Sequence, residues 1–429
     1  MDTKRLILAF ATVLMTLMTV GCGGGGDSAQ PEPPSPIDPP LGSIDLPRGP
    51  KLEVLTGKIS VDFDNCQSAD GAADEAQFSH LQRITVYTDA VYLAETGEGC
   101  ANVSYDIDLI PNNLRPAIRK LSGGTVETAV SLNQFNAFAV GTTYYPVMVR
   151  YPSGFHRKES TGEFFVSGYA AASSEWNFAL DEREASRYTE RSVWNYYIPG
   201  LFRFNPANWF STPHASHNDL IAGKRGEPPA HADGKGHAAR FTAPHNLEVD
   251  AAGLFYLIDD GRIRTIDSDY NVTMLDHAAL GITDTAKALD ADHQGNIHVL
   301  TQRGGSNYTW HRLADGSRVH FNINLGGVEV PVSPPTLETF TVTGDDMLLG
   351  VRIMSSGTGY HNTRLFRVSA TGEVTELTGT DTPNTPQDFL DQPSQYLLPP
   401  VKHIKYGVDG HLYIVLPQGV LIARDYGAQ

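Results

Sequence analysis

The chain has 429 residues, and its 49 Asp and Glu against 32 Lys and Arg leave a formal net charge of −17. So acidic a balance argues against nucleic acid or anionic lipid as the main partner, because phosphate binding needs a basic face. The length would fit two or three ordinary domains, so the domain count has to come from the sequence pattern.

Lys4 and Arg5 precede an apolar run from Leu6 to Val20, followed by Gly21-Cys22. This reads as a secretory signal rather than a spanning helix, since the run is short and ends in small residues. Gly23 to Gly26 and the Pro-rich stretch between Pro31 and Pro50 then read as a flexible and a stiff part of one tether. A Cys at such a junction resembles a bacterial lipoprotein, whose Cys is lipidated and becomes the new amino terminus. The resemblance implies a signal peptide over 1–21, and a lipidated Cys22 with its tether over 22–50. It also implies a lipid anchor to the membrane and, with Gly23 after the Cys, the outer membrane of a bacterial cell envelope. Ordinary cleavage beside an incidental Cys22 is the alternative.

From residue 51 a long pattern occurs twice, about 160 residues apart. The first copy runs Leu55-Thr56-Gly57, Asp70-Gly71, Ala76-Gln77-Phe78, Tyr92-Leu93-Ala94-Glu95, Ile118-Arg119-Lys120-Leu121 and Val126-Glu127-Thr128. The second runs Ile221-Ala222-Gly223, Asp233-Gly234, Ala239-Arg240-Phe241, Tyr256-Leu257-Ile258-Asp259, Ile263-Arg264-Thr265-Ile266 and Val272-Thr273-Met274. Weaker copies share a short apolar strand with a central Arg, at Arg157, Arg203, Arg312, Arg367 and Arg424. Together these suggest seven units of short antiparallel strands bounded by Gly, Asp, Asn or Pro, and repetition on that scale means stacked modules.

The Gly, Asp-Gly, Ala-x-Phe, Tyr-Leu-x-Asp/Glu, Ile-Arg pattern resembles the NHL repeat. The expectation is an all-β fold over 51–429: one β-propeller of four-stranded blades, seven by the unit count and six if Ser131 to Asn218 form one irregular unit. The last unit supplies three strands, at Val401 to Lys405, Leu412 to Leu416 and Val420 to Arg424. Lys51 to Gly57 has the pattern of an outermost strand with no preceding strands of its own. It should therefore complete the last blade and close the ring.

With Cys22 set aside, Cys66 and Cys100 remain, which in an oxidising compartment pair as a disulfide or stay as two buried thiols. The ends of the inner strands should converge on a central funnel, which makes Arg83, His245, Asn246, Lys287, Lys402 and His403 the candidate ligand-binding residues. Imidazoles, amines and an amide on one axis suit an anionic ligand, and less readily a divalent metal; solvated polar residues are the plain reading. His214, His217, His231, His237 and His245 form a His-rich stretch amid Pro and Gly without metal-ligand spacing, which as a cluster reads as idle loop histidines rather than a metal site. Glu95, Asp259 and the central Arg residues recur with the repeat and read as framework.

No Gly-x-Ser-x-Gly elbow, phosphate loop or Cys-x-x-Cys pair occurs. The expected function is a non-catalytic envelope lipoprotein that binds another protein, a glycan or a small ligand, with no catalytic residue and no cofactor. The alternative is a metal-dependent enzyme, because amidating-lyase and gluconolactonase-like propellers resemble this architecture and hold a divalent metal in the funnel.

Overall fold

The computed structural model describes residues 51–59, 67–96, 116–132, 135–140, 143–172, 197–206, 218–224, 228–323, 336–354, 361–383 and 385–426. Cys22 and the tether lie outside the described residues, as do Cys66 and Cys100 and two of the loop histidines, His214 and His217.

The described residues form six antiparallel sheets. β1 (Glu53–Gly57) comes first in the chain and belongs to the last sheet. Blade one holds β2 (Gly71–Ala72), β3 (Leu81–Val86), β4 (Val91–Glu95), β5 (Ala117–Ser122) and β6 (Thr125–Ser131), with β3 innermost. Blade two holds β7 (Phe135–Val140), β8 (Thr143–Lys158), β9 (Glu163–Ala172), β10 (Tyr197–Phe204) and β11 (Asn218–Ala222). Blade three holds β12 (Gly234–Lys235), β13 (Pro244–Val249), β14 (Phe255–Asp259), β15 (Arg262–Ile266) and β16 (Asn271–Met274). Blade four is β17 (Thr285–Ala291), β18 (Ile297–Gly304), β19 (Asn307–Arg312) and β20 (Arg318–Asn322). Blade five is β21 (Thr336–Thr343), β22 (Asp346–Met354), β23 (His361–Val368) and β24 (Val374–Glu376). After a short helix α1 (Pro386–Asp391), blade six is β25 (His403–Tyr406), β26 (Leu412–Leu416) and β27 (Gly419–Ala423), with β1 outermost.

Strands β3, β8, β13, β17, β21 and β25 touch one another in that order, and β25 touches β3 again. The molecule is a six-bladed β-propeller.

Its core is six slabs, one between each pair of neighbouring blades, and the period-2 alternation of each strand divides residues between them. Phe164 faces the slab between blades one and two, and its neighbour Phe165 faces the next one. Leu257 and Ile258 split in the same way, as do Val299 and Leu300, and Leu348 and Leu349. Central strands such as β14 and β26 are therefore buried on both faces against neighbouring sheets, and no blade has a core of its own.

The unit count of seven is corrected to six. Two of the apolar-Arg-apolar segments, Phe155-His156-Arg157 and Leu201-Phe202-Arg203-Phe204, lie on β8 and β10 of the same sheet. The 16-residue β8 pairs with β7 through its first half and with β9 along most of its length, so one blade fills the space allotted to two. The central Arg misled because it stands for two environments. Arg119 and Arg264 are buried, whereas Arg203, Arg312 and Arg424 are partly exposed at their strand ends.

Ring closure follows the expected course. β1 pairs antiparallel with β27 through Glu53 with Ile422, Val54 with Leu421, Thr56 with Val420 and Gly57 with Gly419. Gly57 has φ +78°, and a Cβ there would lie 2.4 Å from the Gln418 carbonyl oxygen and 2.9 Å from the Phe78 ring. Only glycine fits this seam between blades six and one. Deleting Lys51–Gly57, or the milder Gly57→Val, is expected to cost at least about 3 kcal/mol of stability, read as a lowered urea midpoint. Deleting residues 23–49 should leave the midpoint unchanged, and equal shifts would refute closure by β1.

Candidate functional site

Two buried ion clusters set the entrance of the axis. Arg264 Nη1 donates to Asp259 Oδ2 at 3.0 Å and Nη2 to Asp233 Oδ1 at 2.9 Å, with the guanidinium carbon 5.2 Å from the Phe241 ring centre. Asp259 Oδ1 in turn accepts the Thr242 and Ala243 N–H groups at 2.7 and 2.8 Å. In blade one Arg119, Asp70, Glu95 and Phe78 repeat the arrangement, and Glu95 Oε1 accepts the Ser79 hydroxyl at 2.8 Å. Each cluster ties the end of the second strand to the loop that feeds the innermost strand, and so aims His80 and His245. The framework reading of Glu95, Asp259 and the two Arg residues holds. His231, read from sequence as an idle loop histidine, instead joins the blade-three cluster, with Nδ1 2.9 Å from Asp259 Oδ2, in the place that Ser68 takes in blade one.

Five of the six inner strands carry a register slip, at the strand start between Leu81 and Arg83, His245 and Glu248, Ala286 and Ala288, and Leu337 and Thr339, and midway along β8 between Val149 and Tyr151. A bulge re-aims side chains at the end of a strand. In β13 it holds Asn246 at φ +51°, with a Cβ at Gly154 having to sit 2.3 Å from the Leu247 nitrogen, so Asn246 is buried and packed against β8.

At the entrance, burial and then the Lys402 charge lower the His80 pKa to about 4. His245 donates from Nδ1 to the Ala243 carbonyl at 2.9 Å. Its pKa is lowered by burial and by the charges of Arg83 and Lys287, against that hydrogen bond and Asp259. Lys287 itself is exposed. His403 is only 4% exposed, and burial, Arg83 and Lys405 hold its pKa well below the usual imidazole range. The Ile84 N–H donates to His403 Nδ1 at 3.4 Å, which places the proton of the neutral ring on Nε2. Arg83 Nε donates to the Ser153 carbonyl of β8 at 2.9 Å. Of the six residues expected from sequence, Arg83, His245, Lys287 and His403 are linked through their charges, Lys402 acts on His80, and Asn246 shapes the backbone beneath them.

Sequence reasoning missed the tier below. Lys405 of β25 bonds Asp290 of β17 and lies 3.7 Å from Glu248 Oε2 of β13. Asp290 Oδ2 also accepts the Thr341 hydroxyl and the Val342 N–H, both at 2.9 Å. Burial pushes the Glu248 carboxyl up to about 7, against the pull of Lys405 and with Asp290 adding to the rise. Burial acts to lower Lys405, but Asp290 and Glu248 outweigh it and keep the ammonium charged. The available signal was a lone charge inside each apolar inner strand: Asn246-Leu247-Glu248-Val249, Ala288-Leu289-Asp290-Ala291 and His403-Ile404-Lys405-Tyr406.

A divalent metal does not fit these residues. Among the described residues no three His, Cys, Asp or Glu side chains gather as a metal site, and the axial imidazoles stand beside Arg83, Lys287 and Lys405, whose charges repel a cation.

No protein family and no curated protein matches the sequence. Solved structures with a similar chain path include a putative gluconolactonase, at 11% identity and TM-score 0.39 over 88% of this chain and 92% of that one. Virginiamycin B lyase from Staphylococcus aureus aligns at 10% identity and TM-score 0.37, over 86% of this chain and 98% of that one. The extracellular domain of a putative one component system from B. thetaiotaomicron aligns at 8% identity and TM-score 0.37, over 84% of this chain and 40% of that one.

Seven histidines, at 80, 156, 245, 277, 298, 311 and 403, have lowered pKa values. In the unfolded chain each protonates near pH 6.5, so below that pH the unfolded state binds more protons and stability falls as pH drops. Glu248, raised to about 7, works in the opposite sense: its contribution is present below about pH 4.5 and is lost as pH rises through 7. One carboxyl against seven imidazoles leaves the histidines dominant. The urea midpoint should decline steeply from pH 6.5 to 4, and a flat profile would contradict the neutral buried imidazoles.

Proposed function

We propose that this chain is a non-catalytic lipoprotein of the bacterial outer membrane whose NHL-like propeller is a binding scaffold. Its entrance takes an anionic group of an envelope protein, a glycan or a small ligand. The observation that carries this reading is the gathering of positive charge: Arg83, Lys287 and Lys402 reach one end of the axis from three blades of a chain whose net charge is −17. Such local reversal of sign focuses an anion on the axis while the acidic remainder discourages unspecific contact. The signal pattern ending at Cys22 and the Gly- and Pro-rich tether support membrane attachment.

Two substitutions in the full-length protein test the reading. Lys287→Glu combined with Lys402→Glu should abolish capture of envelope components by the purified protein without lowering its urea midpoint. Unchanged capture would remove the entrance from the binding surface. A chelator-sensitive activity that returns on adding zinc or calcium would replace the scaffold reading with the enzyme one. Cys22→Ser should shift the protein from the membrane to the soluble fraction, and retention in the membrane would refute lipidation.

A further inference from the structure

Away from the axis, blade four holds two histidines whose hydrogen bonds suit only the neutral ring. His298 of β18 is fully buried. Trp310 of β19 donates from Nε1 to His298 Nδ1 at 2.9 Å, so the ring proton sits on Nε2, 3.2 Å from Asp292 Oδ2. A second proton could go only to Nδ1, where it would meet the indole N–H, donor against donor. The bond to Trp310 must then break, and this indole is packed in the slab between blades four and five with Leu300, Tyr308, Phe321 and Phe340. His311 of β19 is also buried. Thr301 spends its hydroxyl proton on the Thr309 carbonyl at 3.3 Å, so His311 donates to Thr301 Oγ1 from Nε2 at 3.1 Å and keeps a lone pair on Nδ1.

The geometry points to blade four as an acid-released element of the ring. A proton on His298 displaces Trp310, a proton on His311 puts a charge inside the sheet, and β19 and β20 leave the slab against blade five while the other blades stay closed. The outer pair moves together because the register sets Thr309 opposite His320, and Thr309 Oγ1 and His320 Nδ1 are hydrogen-bonded at 2.9 Å. What opens is an apolar face of Tyr308, Trp310 and Phe321 that the neutral protein keeps covered.

The charged groups around each ring fix the sign. Burial lowers the His298 pKa against Asp292 of the β17–β18 turn and Asp290 of β17, and Arg312 of β19 adds to the fall. Burial likewise brings His311 to about 4, with Arg318 and His320 of β20 and His277 before β17 adding to the fall and Asp284 opposing it. Both rings return to about 6.5 when the strands open, so below that pH the open form takes up protons that the closed form refuses. With two such rings the opening constant rises by up to about a hundredfold for each unit the pH drops. Blades one, two and six have one such ring each among the described residues, His80, His156 and His403, which sets their limit at about tenfold.

Hydrogen exchange of the full-length protein between pH 7 and 5, corrected for intrinsic rates, tests the release through the opening constant of each segment. Peptides within 297–322 should lose protection first, with a slope approaching about a hundredfold per pH unit, while those of β3 and β25 stay at or below about tenfold. His298→Gln gives Asp292 an N–H without a titrating group and should cut the blade-four slope to about tenfold. Adding His311→Gln should flatten it. The indole N–H resonance of Trp310, assigned with Trp310→Phe, should shift over the same pH range in the native protein and hold still in His298→Gln. Equal slopes in blades one, four and six overturn the proposal, as does a blade-four slope that His298→Gln leaves unchanged. Should the Gln variants fail to fold, the slopes of the native protein and its Trp310 resonance still decide.

Discussion

Except in blade two, where β7 lies beyond β8, the innermost propeller strand has a sheet neighbour on one side only, and the backbone groups of its free edge face the axis. Those groups need partners, and a buried N–H without one is costly. Here the side chains of adjacent inner strands supply them. Thr339 and Thr341 accept the Ile404 and Tyr406 N–H groups at 3.1 and 3.0 Å, Asp290 accepts Val342, and His403 accepts Ile84. The Ser153 hydroxyl reaches the Pro244 carbonyl at 2.9 Å, and Arg83 reaches Ser153. The polar residues of the axis are thus first a belt that joins one blade to the next. Any binding chemistry uses what the belt leaves over.

That priority explains which residues came together. His403 spends Nδ1 on the belt, where it accepts the Ile84 N–H. Asp290 spends both oxygens and offers none. Glu248, whose contact with Lys405 is the longer 3.7 Å one and whose carboxyl burial raises to about 7, stays sensitive to its surroundings. The charges are held at modest separation without collapse because Lys405 spans from β25 to Glu248 on β13 and Asp290 on β17.

The ring and its seam were legible in the sequence because both depend on side-chain types at fixed spacing. Phe78 and Phe241 fill equivalent slabs, Arg119 and Arg264 lie over them, and Gly57 sits where no Cβ fits. Blade two was not legible, since two of the apolar-Arg segments, one on the 16-residue β8 and one on β10, belong to a single sheet. The entrance residues were found from their position at strand starts. The tier of Glu248, Asp290 and Lys405 was not, because its meaning depends on three strands far apart in sequence meeting at one height. The bulges that turn these side chains inward have no residue signature beyond the left-handed Asn246.

The seam also has a mechanical side. In chain order everything before residue 51 connects to the ring through β1, the strand held to β27 by one ladder and by the Arg424 to Glu53 pair at 3.0 Å. Tension on the amino-terminal segment therefore arrives first at this seam. A strong enough pull would peel away a single strand and leave the backbone edge of β27 unpaired, while Val420 and Ile422 stay packed against blade one.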